Sequence, residues 1–163
     1  MSSTLAHLRD RVELLLSDTS NAIYALDLVD QCLRKALAEY NQYNPQSIEA
    51  ALTLPCAGRE ISLASLSGLL EVVDVWWPFD SSAATETWPP NRVKGWRVYW
   101  DNANPVLFFE EYEGDQPQAD EEVRIWYTAN QTINGLDGET VTTVRADHES
   151  ILVTGAAAYA ALA

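Results

Sequence analysis

Hydrolysis by a nucleophile needs a serine or cysteine, a base such as histidine and an acid that orients the base. This chain of 163 residues offers only two histidines and two cysteines for such a constellation. His7 falls in the first turn of an amphipathic stretch. His148 stands in Asp147-His148-Glu149, where a C-terminal helix is expected to begin and where acids suit the helix dipole. The sequence reads it as a capping-turn residue near a surface. Cys32 lies in a predicted helix and Cys56 in a predicted turn. The pair makes neither a disulfide framework nor a zinc site, and both read as free thiols of a reducing cytosol. The seven glycines are scattered, with no spacing that would cradle a phosphate or a dinucleotide. One cluster remains: Glu110, Glu111, Glu113, Asp115, Asp120, Glu121 and Glu122. It lacks the alternating ligand pattern of a calcium loop and reads as a solvated acidic tip. The expectation is a protein with no catalytic residues, no metal and no cofactor.

The aromatic residues are the next candidates. Among the six tryptophans, Trp77, Trp96 and Trp100 alternate within strand-like runs together with Tyr127, as core residues do. Trp76 and Trp126 point to the opposite face from their neighbours Trp77 and Tyr127. Aromatics on both faces leave three readings for the second face: a subunit interface, a second buried layer or a ligand platform. Trp76, Trp126, Tyr159 and Leu162 are the interface candidates.

These side chains need elements to hold them. Leu5, Leu8, Val12, Leu15 and Leu16 recur at helical spacing, with Arg9, Asp10, Arg11 and Glu13 on the other face. The run Ser17-Asp18-Thr19-Ser20-Asn21 breaks this helix, because its side chains compete for backbone hydrogen bonds. A second helix is predicted from Asp27 as N-cap, with the stripe Val29, Leu33, Ala36, Leu37 and Tyr40, and Asn44-Pro45 ends it. Strand-like segments follow at Ala51–Leu54, Ile61–Leu63, Leu69–Trp77 (closed by Pro78) and Arg92–Trp100. Val106–Tyr112 and Val123–Thr128 read as a long hairpin with the acidic cluster at its tip. The last helix starts near Ala146 or Asp147. Gly155, Ala156, Ala157, Ala158, Ala160 and Ala161 leave it so little bulk that another helix can approach closely.

The fold class is therefore α+β: a small helical bundle formed by the N- and C-terminal segments, residues 1–45 and 146–163, with an inserted antiparallel β domain over 46–145. Leu8, Val12, Leu33, Leu37, Ile151 and Leu152 are expected to meet in the bundle. Trp77, Trp96, Trp100 and Tyr127 are expected to be buried in the β domain. A hydrophobic fraction of 47% supports a core. A formal net charge of −14 disfavours sequence-independent nucleic-acid binding and leaves no polybasic tract for an anionic membrane. Ile151–Ala163 is too short to span a bilayer, and no signal peptide is visible.

In this order the segments resemble the head–tail adaptor (connector) proteins of tailed bacteriophages and prophages. The resemblance rests on three stretches. The first is Leu5-Ala6-His7-Leu8-Arg9-Asp10-Arg11-Val12 followed by Leu33-Arg34-Lys35-Ala36-Leu37-Ala38-Glu39-Tyr40. The second is Leu70-Glu71-Val72-Val73-Asp74-Val75-Trp76-Trp77-Pro78. The third is Val123-Arg124-Ile125-Trp126-Tyr127-Thr128, Thr142-Thr143, His148-Glu149 and Val153-Thr154-Gly155-Ala156-Ala157-Ala158-Tyr159-Ala160. The simplest adaptors are nearly all helical, whereas much of this chain reads as β. The resemblance implies a non-enzymatic virion protein of the neck, assembled in the host cytoplasm as a homo-oligomeric, dodecameric ring. Such a ring docks on the portal protein, carries a tail-side stopper or tail terminator protein, and meets DNA only as passing cargo. The acidic tip would then face the DNA channel, a basic patch of an adjacent copy (Arg92, Lys94 or Arg97), or solvent. The alternative is a β-type ligand- or carbohydrate-binding module of a phage or host-recognition protein.

Overall fold

The structure, a computed structural model, describes residues 3–82, 92–111 and 116–163. Among the described residues, three helices and six strands make an α+β fold, and the chain divides into two compact units, 1–46 with 130–163 and 47–129.

The first unit is helical. Helix α1 (Leu5–Leu16) buries Leu5, Leu8 and Val12, three and four residues apart. It ends at Ser17, which takes the left-handed conformation (φ 57°). The side chain that breaks the helix is Asp18. Its carboxylate accepts the backbone N–H groups of Ala22 at 2.9 Å, Ile23 at 2.8 Å and Tyr24 at 2.8 Å. Helix α2 (Leu26–Tyr43) starts two residues earlier than the sequence suggests. Ala25 holds the N-cap position in an extended conformation, and Asp27 sits in the first turn instead. The stripe is as read, with Val29, Leu33, Ala36 and Tyr40 buried and Leu37 half-buried. Helix α3 (Glu149–Leu162) follows a turn, so Asp147 lies before it and His148 is the residue at its N-cap. Its small face is covered within the chain: Ala156, Ala157 and Ala160 are buried in the same core as α1 and α2. A Cβ placed on Gly155 would sit 3.3 Å from the Ala36 Cβ, so the absence of bulk sets how closely α2 and α3 approach.

Three expectations fail in this unit. Ile151 does not join the core and is 57% exposed. Leu15 is exposed too, because the buried arc of α1 is narrower than five apolar positions. The stretch 130–145, expected within the β domain, belongs with the helices. Ile133, Leu136 and Val144 fill their core, and Leu5 N–H donates to Asn134 O at 2.9 Å. The segment is a coil tied down by Thr142 Oγ1, which donates to Ser3 O at 2.6 Å and accepts from Asn134 N–H at 2.8 Å.

The second unit holds two three-stranded sheets around one core. One has the order β1 (Gln46–Thr53), β6 (Glu122–Ala129), β3 (Leu69–Phe79). The other has the order β2 (Glu60–Ser62), β5 (Asn104–Glu111), β4 (Gly95–Asp101). Strand β6 alternates cleanly, with Val123, Ile125, Tyr127 and Ala129 buried. In β3 the inward side chains are Val72, Val75 and Trp77. The step of three coincides with a register shift between Val72 and Asp74, the effect of an extra residue in the ladder. Strand β3 runs on through Pro78 to Phe79, and a register shift between Trp76 and Phe79 accommodates a proline that cannot donate to the ladder.

The predicted β5–β6 hairpin is not formed. Strand β5 pairs with β4 and β2, and β6 pairs in the other sheet. The true hairpin is β4–β5, closed by Asn102 (φ 45°) and Ala103 (φ 71°) between the paired residues Asp101 and Asn104. Two successive positive φ values give the twist that a two-residue hairpin needs. Trp77 and Tyr127 are buried as expected, and Trp96 is half-buried against the core. Trp100 is not buried: it lies opposite Pro105 beside this turn and is 62% exposed.

Candidate functional site

Two places gather side chains that could recognise something, one in each unit. In the helical unit, a cleft of about 400 Å³ opens between α2 and α3. Ala36 and Gly155 make its floor; Tyr40, Asn44 and His148 line one end; Tyr43, Ile151 and Tyr159 stand around it with Glu39. The helical spacing of Ala36, Tyr40 and Asn44 puts all three on one face. His148 reaches the cleft because it precedes α3. Its Nδ1 lies 2.7 Å from Tyr40 Oη and 3.3 Å from Asn44 Nδ2, and Asn44 Nδ2 also donates to Tyr40 Oη. Tyr40 Oη and His148 Nδ1 share one hydrogen bond, whose donor is set by the imidazole tautomer. The rings of Tyr40 and His148 meet edge to face with centroids 5.9 Å apart. This trio is a positioned hydrogen-bond chain.

The rim of the cleft is polar on one side. A hydrogen bond to Glu39, with burial adding to it, raises the Tyr159 phenol above its usual value. Lys35 Nζ lies 3.9 Å from the centre of the Tyr159 ring. Tyr159 also borders a second hollow, of about 440 Å³, with Leu28, Cys32 and Leu162. Burial raises the Cys32 thiol, which makes it a poor nucleophile. Leu162 is 83% exposed. Of the four interface candidates, Tyr159 and Leu162 therefore share this unit. Sequence reasoning missed Tyr43, Asn44 and Glu39 as cleft residues. The helix-stop signal Asn44-Pro45, four residues after Tyr40, was the clue that could have found Asn44.

In the β unit, Trp76 and Trp126 lie on one face, with ring centroids 6.1 Å apart and planes tilted by 56°. Between them runs Arg124, its guanidinium carbon 4.5 Å from the Phe79 ring centre, 5.3 Å from Trp76 and 5.7 Å from Trp126. Arg124 is also paired with Glu49 of β1. Asp74 accepts from Trp76 Nε1 at 2.8 Å and pairs with Arg92 at 3.0 Å. The Trp126 Nε1 is buried without a hydrogen-bond partner. Rings tilted against each other and bridged by a guanidinium do not offer the coplanar platform on which a sugar stacks.

Glu110 and Glu111 end β5, in one sheet, while Asp120, Glu121 and Glu122 lead into β6, in the other; Glu113 and Asp115 lie outside the described residues. Glu121 accepts from Trp77 Nε1 and from Gln118 N–H, both at 3.0 Å. Glu122 accepts from Ser81 N–H at 2.7 Å, and Ser81 holds its carboxyl below the usual range. Glu110 lies 3.5 Å from Arg97 of its own chain. Among the described residues no group of three or more His, Cys, Asp or Glu is placed to hold a metal ion, and no helix is long and apolar enough to cross a membrane.

No protein-family model matches the chain, and no curated protein matches it. Among solved structures it is similar to a chain of the "Neck of empty GTA particle computed with C6 symmetry", at 20% identity and a TM-score of 0.39, over 94% of this chain and 75% of that one. It is similar also to a chain of the "Virion of native gene transfer agent (GTA) particle", at 18% identity and a TM-score of 0.39, over 98% and 81%.

Proposed function

We propose that this chain is a non-enzymatic structural protein of the neck of a phage-like particle. In this reading it forms a homo-oligomeric, dodecameric ring that docks on the portal protein, carries a tail-side stopper or tail terminator, and lines part of the DNA channel. It would be made and assembled in the host cytoplasm and reside in the virion. The observation that carries the reading is the way both outer stretches of the adaptor resemblance, 5–40 and 148–160, fold into one helical unit that exposes an apolar cleft. A protein that works by contact needs such a surface and no reacting group. The formal charge of −14 suits a channel wall along which a polyanion slides without sticking.

The test is co-assembly. The purified chain is expected to be monomeric or weakly associated alone, and to order into a ring when mixed with the portal of the same particle, as seen by electron microscopy. A neck in which portal and tail meet with this chain absent from between them overturns the proposal.

A further inference from the structure

We infer that the cleft between α2 and α3 receives an apolar segment carrying lysine or arginine from a different protein, and not a second copy of this chain. The cleft has an apolar mouth, since Tyr43 is 87% and Ile151 57% exposed, and its floor is kept open by the small pair Ala36 and Gly155. The exposed acid Glu39 stands on its wall beside Tyr159. Lys35 covers one face of the Tyr159 ring from the side of the second hollow and does not line the cleft, so Glu39 is the charged group on the cleft wall. An apolar side chain flanked by a positive one matches this set.

Charge decides between the two sources of such a segment. The chain has ten Lys and Arg against 24 Asp and Glu. Arg9, Arg11, Arg34, Arg92, Arg97, Arg124 and Arg145 are all paired with acids of their own chain. Lys35 is on Tyr159, and Arg59 and Lys94 have partners within the chain as well. A second copy would therefore have to give up an interaction of its own to bring a cation to the cleft. It would also carry a like formal charge of −14, so that the two copies repel at low salt. A cationic partner is attracted by the same field.

The experiment uses the full chain, labelled for amide NMR, and three synthetic amphipathic helical peptides made of leucine with lysine, with glutamate or with glutamine. The leucine–lysine peptide is expected to shift the amides of Ala36, Glu39, His148 and Gly155. Tyr43→Ser and Ile151→Ser, both at exposed positions that leave the fold intact, are expected to weaken it about tenfold, equivalent to about 1.4 kcal/mol. Glu39→Gln is expected to weaken it several-fold, whereas Glu71→Gln on the β unit leaves it unchanged. The inference is overturned if the leucine–glutamate peptide binds the cleft equally well, or if the lysine peptide's shifts scatter over the acidic surface and ignore the cleft variants. It is overturned also if the same amides shift with the concentration of the chain alone, which would seat a second copy there. No portal or ring enters this measurement, so its failure and a failure of the neck reading are separate results.

Discussion

At the scale of single residues, the helical unit is held by two carboxylates, Asp18, which bonds backbone, and Glu149, which bonds backbone and a cation at once. Asp18 satisfies three N–H groups that the α1–α2 turn leaves without helical partners. Glu149 is buried at the start of α3, where it accepts from Ser3 N–H and Ser3 Oγ, both at 2.7 Å, and pairs with Arg11 at 2.9 Å. The Tyr24, Ile23 and Ala22 N–H groups hold Asp18 below its ordinary value. For Glu149, burial pushes the pKa up, but Ser3 and Arg11 outweigh it and the net shift is downward. Both groups thus bind protons more weakly folded than unfolded. Their stabilisation is complete above the unfolded carboxylate range near pH 4 and is lost as pH falls through the lowered folded values. Thermal unfolding followed from pH 7 to pH 2 should show this loss, and Asp18→Asn with Glu149→Gln should flatten it. At pH 7, Glu149→Gln should cost about 1.5–3 kcal/mol, the range for hydrogen bonds to a charged group, read by urea denaturation. Residue burial splits a set the sequence treated as one. Leu33→Ala, at a fully buried site, should cost about 2–5 kcal/mol. Ile151→Ala should stay within about 0.5 kcal/mol, because Ile151 faces water. Periodicity announces an apolar face, but it does not say where along that face the neighbouring helix ends.

At the scale of elements, the helices were legible and the strand partners were not. The stripes of α1 and α2, the polar break and the Asn44-Pro45 stop are local signals, and each marks what the chain does there. Pairing of β5 with β4 depends on a turn whose residues, Asn102 and Ala103, carry only half of the usual Asn-Gly pattern. The acidic run between β5 and β6 resembled a hairpin loop more strongly. The result placed Trp100 beside an exposed turn, and put Glu110 and Glu111 at the end of a strand in one sheet and Glu122 at the start of a strand in the other. The close approach of α2 and α3, in contrast, was written in the small residues. Replacing Gly155 by leucine should force the helices apart at Ala36 and cost about 1–3 kcal/mol, as overpacking does. Circular dichroism with chemical denaturation measures it.

At the scale of the molecule, charge governs association. With every lysine and arginine engaged inside its own chain, copies meet as like-charged bodies. Any self-association of the isolated chain should therefore strengthen with added salt, as screening shortens the repulsion. Sedimentation at low and high ionic strength checks the sign; weakening by salt would point to cross-chain ion pairs, such as an acidic segment on Arg92 or Arg97 of a neighbour. The net charge was plain in the sequence. The commitment of each cation was not, because pairs such as Arg11 with Glu149 and Arg34 with Asp137 join residues more than a hundred positions apart.

The chain leaves the helical unit once, at 46–47, and re-enters once, at 129–130. Both crossings are fastened on the helical side: Asn41 Oδ1 accepts from Gln131 N–H at 2.8 Å, and Gln131 Nε2 donates to Asn44 O at 3.2 Å. On the other side the strands that begin and end the excursion, β1 and β6, are neighbours in one sheet. A segment whose entrance and exit are stitched together behaves as a cassette. Its interior can be exchanged, lengthened or removed in the course of descent while the frame that holds it keeps its own core. Excising 47–129 and joining the ends with a short glycine–serine bridge should leave a three-helix remnant with the α-helical spectrum of the parent.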